Sequence, residues 1–281
     1  MAIAIVTDST CDLKPELVAQ YGISLVRQHI LWGTENYLDG IDLSINEFYQ
    51  RLNEAEDLPR TSQPSPGDFA TGFRAAREAT GADEVVCITL SADVSGTHNS
   101  AVQAVELVDF PVHIIDARTA SLPLGFLVLE AAEARDKGLS AEGVVATVKA
   151  SLSKVQIYFT VSTLEYLHRG GRIGGARRLI GDTLNIKPIL YVQEGAIAAK
   201  ESVRTRSRVI KRMIDLVAEA QHGQVLKRVG VVHGMALEEA EELAAILKSR
   251  FNLEDVYLTN CAAAIGVHVG PSVLGVAYQL T

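Results

Sequence analysis

Short, almost wholly apolar runs alternate with longer stretches whose apolar residues recur at helical spacing. Ala2 to Val6, Ser24 to Leu31, Glu84 to Leu90 and Val112 to Ile115 read as strands, each bounded by Gly, Asp, Ser or Pro. Between and after them the periodicity predicts helices at Pro15 to Tyr21, Ser44 to Ala55, Gly67 to Ala79, Gly96 to Leu107, Phe126 to Lys137 and Ala141 to Ser151. Strands that are apolar on both faces and separated by helices belong to a mainly parallel sheet covered on both sides, so the fold class is α/β.

Near Ser153 the pattern changes. Gln156 to Val161 alternates like a half-buried strand. Ile186 to Val192, Ile197 to Ser202, Val229 to His233 and Val256 to Thr259 follow as strands, interrupted by helices at Thr205 to Ala220 and Leu237 to Arg250. Gln193-Glu194-Gly195 between two strands predicts a hairpin, which an all-parallel sheet would not contain, so the second sheet is mixed. The expected organisation is an N-terminal α/β domain over residues 1–150 and a C-terminal α/β domain over 151–281, without internal repeats.

With 281 residues and 48% hydrophobic content the chain has material for real cores, and disorder is excluded. No apolar run reaches the roughly 18 to 20 residues of a membrane span, and the opening MAIAIVTDSTCDL has no signal-peptide pattern, so a cytoplasmic location is expected. Cys11, Cys87 and Cys261 have no paired spacing, which argues against a disulfide framework and against a zinc site. The net charge of −8 hides an asymmetry: from Arg169 to Arg212 there are 11 Lys or Arg against Asp182, Glu194 and Glu201, a local +8 against −16 elsewhere. That concentration is either a solvated helix face or a docking surface for an anion, a headgroup layer or an acidic partner. General nucleic-acid binding is disfavoured, because the basic block lacks interleaved aromatics and the whole chain is acidic.

Two hydroxyl-bearing segments stand out. In Thr61-Ser62-Gln63-Pro64-Ser65-Pro66-Gly67-Asp68, Ser65 reads as a helix N-cap, Pro66 as the first helical residue and Asp68 as the acid that a helix start favours. Thr61 then either closes a local turn or aims its hydroxyl at a ligand from a proline-stiffened loop. In Leu90-Ser91-Ala92-Asp93-Val94-Ser95-Gly96-Thr97 a buried strand gives way to a helix, where open α/β sheets collect ligands. Ser95 can cap that helix and still donate its proton to a carboxylate.

Nucleotide, metalloprotease and nucleophile-elbow motifs are missing from the sequence. Asp8-Ser9-Thr10-Cys11-Asp12 is best read as capping the helix at Pro15, and Gly170-Gly171-Arg172-Ile173-Gly174-Gly175 as a mobile surface loop. His98 would share a helix face with Ser95. His233 reads as a satisfied buried histidine. His268, in Gly266-Val267-His268-Val269-Gly270-Pro271, is either a turn residue or a group placed where flanking glycines allow close approach.

Taken together, Asp8 to Leu13, Thr61-Ser62-Gln63-Pro64, Ser95-Gly96-Thr97, Thr163 to Ile173, Lys187-Pro188-Ile189-Leu190 and Gly266 to Pro271 resemble the DegV family, in family order across residues 3–280. The resemblance implies two α/β domains with an acyl chain buried between them. It implies a lipid carrier rather than an enzyme: a protein that binds a long-chain fatty acid such as palmitate, stearate or oleate, with no cofactor and no metal. It implies that Thr61 and Ser95 hydrogen-bond the carboxylate, with His268 and Arg169 in the same polar network. The implied partner is a separate ATP-binding fatty acid kinase subunit that makes acyl phosphate for phospholipid synthesis. Arg169, Arg172, Arg177 and Arg178 would face that subunit or, transiently, an anionic membrane surface. Asp93 departs from the family's serine-rich lead into Ser-Gly-Thr and places an acid near the expected anion. Two other readings stay open: a stand-alone serine-dependent esterase or acyltransferase using Ser95 with His98 or His268, and a regulatory module that senses a small acid.

Overall fold

The computed structural model describes residues 2–179 and 186–281; Asp182, counted above in the basic segment, lies outside the described residues. The first half builds a four-stranded parallel sheet in the order β2-β1-β6-β7, from β1 (Ile3–Asp8), β2 (Ile23–Val26), β6 (Glu84–Thr89) and β7 (Val112–Asp116). All six residues of β1 are buried, as a strand covered on both faces requires. The helices α1 (Pro15–Gln20), α3 (Pro66–Thr80), α4 (Thr97–Ala104), α5 (Leu122–Asp136) and α6 (Ala141–Ser151) surround this sheet. The order of the strands reverses between β1 and β6, which opens a crevice at their carboxyl ends.

A small antiparallel sheet, β4-β3-β5, stands beside this one, made of β3 (His29–Trp32), β4 (Glu35–Leu38) and β5 (Arg60–Ser62). Its existence corrects the single strand expected over Ser24 to Leu31. The Gln28 amide N–H donates to Ser9 Oγ at 3.1 Å rather than to a neighbouring strand, and the chain leaves the parallel sheet there. The helix α2 (Ile45–Glu54) starts at Ser44 with a capping box closed by Glu47. Ser65 and Asp68 form the same device at the start of α3, with Pro66 in the first turn, as the sequence indicated.

The second half forms a six-stranded mixed sheet in the order β10-β9-β8-β13-β11-β12. Its strands are β8 (Val155–Thr160), β9 (Lys187–Gln193), β10 (Ala196–Val203), β11 (Leu226–His233), β12 (Tyr257–Asn260) and β13 (Leu274–Leu280). Only β11 and β12 run parallel. Between β9 and β10, Glu194 and Gly195 both take positive φ (50° and 90°), giving the tight hairpin that the sequence predicted. Two long helices, α8 (Arg206–Gln221) and α9 (Leu237–Phe251), and two short ones, α7 (Glu165–Arg169) and α10 (Ala263–Val269), complete this half.

Strand β13 escaped the sequence reading although it is an inner strand, because all seven of its residues are buried and no alternation marks it. The segment holding His268 is helix α10 rather than a turn. Gly266 and Gly270 admit close neighbours: a Cβ at the first would strike the Phe48 and Tyr49 rings, and one at the second the ring of Tyr166. Asp8 and Asp12 do not cap α1, whose N-cap residue Lys14 makes no side-chain cap. Asp8 instead caps a single 3-10 turn over Ser9–Cys11.

Helix α5 ties the two sheets together. Eleven of its fifteen residues are buried, so it has no solvent face of ordinary width and packs between both sheets. At its exposed end Glu130 and Glu133 meet Lys227 and the buried Arg228 of β11, with Gln279 of β13 donating to Glu130 at 2.9 Å. A buried guanidinium that keeps two carboxylate partners is held firmly, since losing either leaves a charge unpaired in low dielectric.

A polar-ended cavity between the two sheets

The crevice at the carboxyl ends of β1 and β6 is roofed by the second sheet, leaving a cavity with an empty volume of about 960 Å³ including its mouth. Its apolar walls include Leu90 and Val94 from the first half and Ile157, Phe159, Val192 and Val232 from the second.

Thr61 sits in β5, paired through Ile30 of β3, and its Oγ1 lies 2.8 Å from His268 Nε2 on α10. Ser95 lies in the turn before α4, where Gly96 is the N-cap position. Its Oγ accepts from the Thr97 amide at 3.3 Å and lies 2.8 Å from Thr97 Oγ1, which in turn takes a 3.0 Å bond from the Gln28 side-chain amide. The Gln63 side chain packs so closely on Gly96 that a Cβ there would collide with it, and this contact brings the Thr61 segment against the Ser95 turn. Thr61, Ser95 and His268 all line the cavity.

The arginine of the cavity is Arg172, not Arg169. Arg172 lines the pocket and donates from Nε to the Val94 carbonyl (2.9 Å) and from Nη1 to the Gly170 carbonyl (2.6 Å). Arg169 is exposed and paired one helical turn back with Glu165 at 2.7 Å. Arg177 and Arg178 are exposed, with Arg178 donating to the Ala199 carbonyl at 2.8 Å. The glycine run between them is not a slack loop: a Cβ at Gly170 would strike His268 Nδ1, and one at Gly174 the Ile197 carbonyl.

Burial, and then the positive charge of Arg172, hold the His268 imidazole down at a pKa of about 4, so it is neutral at physiological pH. Asp93 does not line the cavity; it pairs with Arg118 at 3.4 Å. Three other acids lie behind the polar end. Asp8 accepts from Thr10 and from the Leu90 amide (2.8 Å), Asp12 from Ser121 and the Ala262 amide (2.8 Å), and Asp39 from Ser9 (2.7 Å). Burial raises all three, Asp12 to about 7 and Asp39 to about 6.

Ser95 makes no hydrogen bond to His98 or His268 among the described residues. His98 Nδ1 is 3.0 Å from Thr89 Oγ1, Ser95 is engaged with Thr97, and His268 with Thr61. His233 is buried as expected, but its Nδ1 has no hydrogen-bond partner among the described residues. The sequence reading missed Gln28 and Thr97 as members of the network. Thr97 stood within a motif already singled out, whereas Gln28, between Arg27 and His29, carried no signal of its own.

A family model described as an uncharacterised protein of the DegV family matches residues 2–281. A DegV domain-containing protein of Clostridium perfringens is 33% identical over 99% of both chains. Among solved structures, a DegV family protein from Thermus thermophilus described for its fatty acid binding superposes with a TM-score of 0.93 at 32% identity, covering all of both chains. A stearic acid-binding protein from Eubacterium ventriosum gives a TM-score of 0.91 at 28% identity, covering 100% of this chain and 98% of that one.

Proposed function

This chain belongs to the DegV family, and from that premise we propose that it binds a long-chain fatty acid in the cavity between its sheets and presents the carboxylate to a separate ATP-dependent kinase subunit. The observation that carries the reading is the cavity itself, apolar along its length and polar at one end, where Thr61, Ser95, His268 and Arg172 converge. A saturated tail of about 14 methylenes gains on the order of 11 kcal/mol when buried, enough for retention after the cost of lost motion. Hydroxyls that donate to a carboxylate add orientation. The neutral imidazole of His268 supports the Thr61 hydroxyl without competing as a cation.

The chemistry is divided between proteins: this chain sequesters and positions the acid, and its partner supplies ATP and forms the acyl phosphate that feeds phospholipid synthesis. The exposed Arg169, Arg177 and Arg178 serve the partner or an anionic membrane surface. Residues 1–150 and 151–281 act as the two α/β units that enclose the ligand, and the protein works in the cytoplasm with brief visits to the membrane.

Mass spectrometry of organic extracts of the purified protein tests the central claim. Long-chain fatty acid at about one per chain is expected; protein that arrives empty and takes up no added stearate overturns it. Acyl phosphate should form only with the kinase subunit and ATP. Ester or thioester turnover by this chain alone would return the serine-dependent enzyme to first place.

A further inference from the structure

The Ser95 hydroxyl stands at the end of a chain of hydrogen bonds that runs back through buried groups. Thr97, fully buried, has its Oγ1 2.8 Å from Ser95 Oγ, and the Gln28 side-chain nitrogen donates to Thr97 Oγ1 at 3.0 Å. Gln28 is 4% exposed, and its main chain is held on both sides: its N–H donates to Ser9 Oγ at 3.1 Å and its carbonyl accepts the Asp39 amide at 3.0 Å. The side chain therefore leaves from a fixed position to reach a turn 69 residues away in sequence.

Each hydroxyl in such a chain has one proton, so the direction of the first bond decides the rest. The Gln28 nitrogen is the end of the amide closer to Thr97 Oγ1, with Oε1 at 3.3 Å. Burial raises the Asp8 pKa, and the Gln28 side chain is one of the hydrogen-bonding groups that lower it, as a donor to a carboxylate does. Exchanging the two ends of the amide would turn an oxygen toward that acid. With Nε2 donating, Thr97 Oγ1 accepts, and its own proton goes to Ser95 Oγ, its other partner among the described residues. Ser95 Oγ also accepts the Thr97 amide at 3.3 Å, so both of its lone pairs are filled. What Ser95 has left is a proton to donate.

We propose that Gln28 is a positioning residue for the head-group site: it sets the direction of the Thr97–Ser95 hydrogen bond so that Ser95 presents a proton, which selects a carboxylate over a neutral head group such as the alcohol of the same chain length. The inference rests on the fatty-acid reading above and gives the origin of its selectivity. A carboxylate brings only acceptors and matches a donor, whereas an alcohol that accepts from Ser95 still has a proton of its own to place away from water. Tail burial is the same for both and cancels from the comparison.

The test measures binding of stearate and octadecanol to the wild type, Gln28→Glu, Gln28→Met, Thr97→Val and the variant carrying both Gln28→Glu and Thr97→Val. In Gln28→Glu an oxygen replaces Nε2, so Thr97 donates to it and accepts from Ser95, which loses its free proton. Stearate should bind that variant about tenfold or more weakly, as expected for a lost hydrogen bond to a charged group, while octadecanol binds as well as before or better. Where Gln28→Glu is unstable, Gln28→Met decides, since it should also lower the stearate-to-octadecanol ratio, by less, and a merely structural loss would not. In the Thr97→Val background, Gln28→Glu should cost stearate almost nothing further, because the link is cut. Equal losses of both ligands in the Gln28 variants, the same stearate loss with and without Thr97, or a wild type with no preference for stearate would overturn the proposal while leaving the fatty-acid reading intact. A wild type that takes up neither ligand would bring down the fatty-acid reading itself.

Discussion

Of the nine described residues that the first half contributes to the cavity, six carry a hydroxyl or amide: Thr10, Gln28, Thr61, Ser95, Thr119 and Ser121. Of the fourteen from the second half, only Arg172 and His268 are basic or carry a hydrogen-bonding side chain of comparable strength. All of the first set but Thr61, which stands in the small antiparallel sheet, sit on turns following parallel strands, where main-chain groups run out of ladder partners and polar side chains take their place. In the second set six residues stand on strands of the mixed sheet, whose main chain is already paired, and four on α10. Hydroxyl and amide groups therefore come from the first, polar wall, and the second is the capacity wall, apolar except for Arg172 and His268.

The largest test concerns the acids behind the polar wall. Asp12 has its pKa raised from near 4 to about 7 by burial, so the folded state holds a proton that the unfolded chain releases. Its stabilising contribution is complete below pH 4, declines as pH rises, and is gone above pH 7. Asp12→Asn keeps an acceptor for the Ala262 amide and a donor toward Ser121, so it should gain on the wild type by up to about 4 kcal/mol between pH 4 and 7. Urea unfolding of both proteins across that range checks this, and parallel profiles would refute it. His268 has the opposite sign: lowered to about 4, it contributes stability above pH 6.5 that is lost as pH falls through 4.

Next in size, replacing Thr61 and Ser95 together by Ala should slow acyl phosphate formation by about a hundredfold, as expected for a reacting atom misplaced by ~1 Å. Extracted lipid should change little, since tail burial dominates retention. A double variant that arrives empty yet reacts normally would reverse the division of roles between the walls. Arg172→Ala should weaken binding of the acid by about tenfold, whereas Arg169→Ala should leave it unchanged, because only Arg172 reaches the cavity. Equal effects would erase the distinction drawn between the two arginines.

The capacity wall should respond in gradations. Phe159→Leu, which removes apolar volume from the cavity wall, should shift preference toward longer chains by about 1 kcal/mol per methylene, measured by competition among saturated acids. The smallest effect belongs outside the cavity. Charge reversal at Arg169 and Arg177 should slow coupling to the kinase subunit or to anionic vesicles about two- to threefold at low salt, and less at high salt, with bound lipid unaltered. Arg172 is excluded from that set, since its side chain lines the cavity.

The α/β class, the hairpin at Glu194-Gly195, the Ser65 cap and the two hydroxyl segments were all legible in the sequence, because each rests on local chemistry: periodicity, turn φ and a capping side chain. The pairing of Thr61 with His268 was not, since it joins a three-residue strand to a helix 207 residues away. Nor was the difference between Arg169 and Arg172, which lie on the same basic segment and differ only in which of them the packing of Gly170 against α10 turns inward. The burial that raises Asp12 and lowers His268 is likewise a property of the closed crevice. Sequence specified which groups could recognise an acid, by residue type and local conformation. Only the tertiary structure decided which of them meet, because desolvation and hydrogen-bond geometry depend on what a distant part of the chain brings to within a few ångströms.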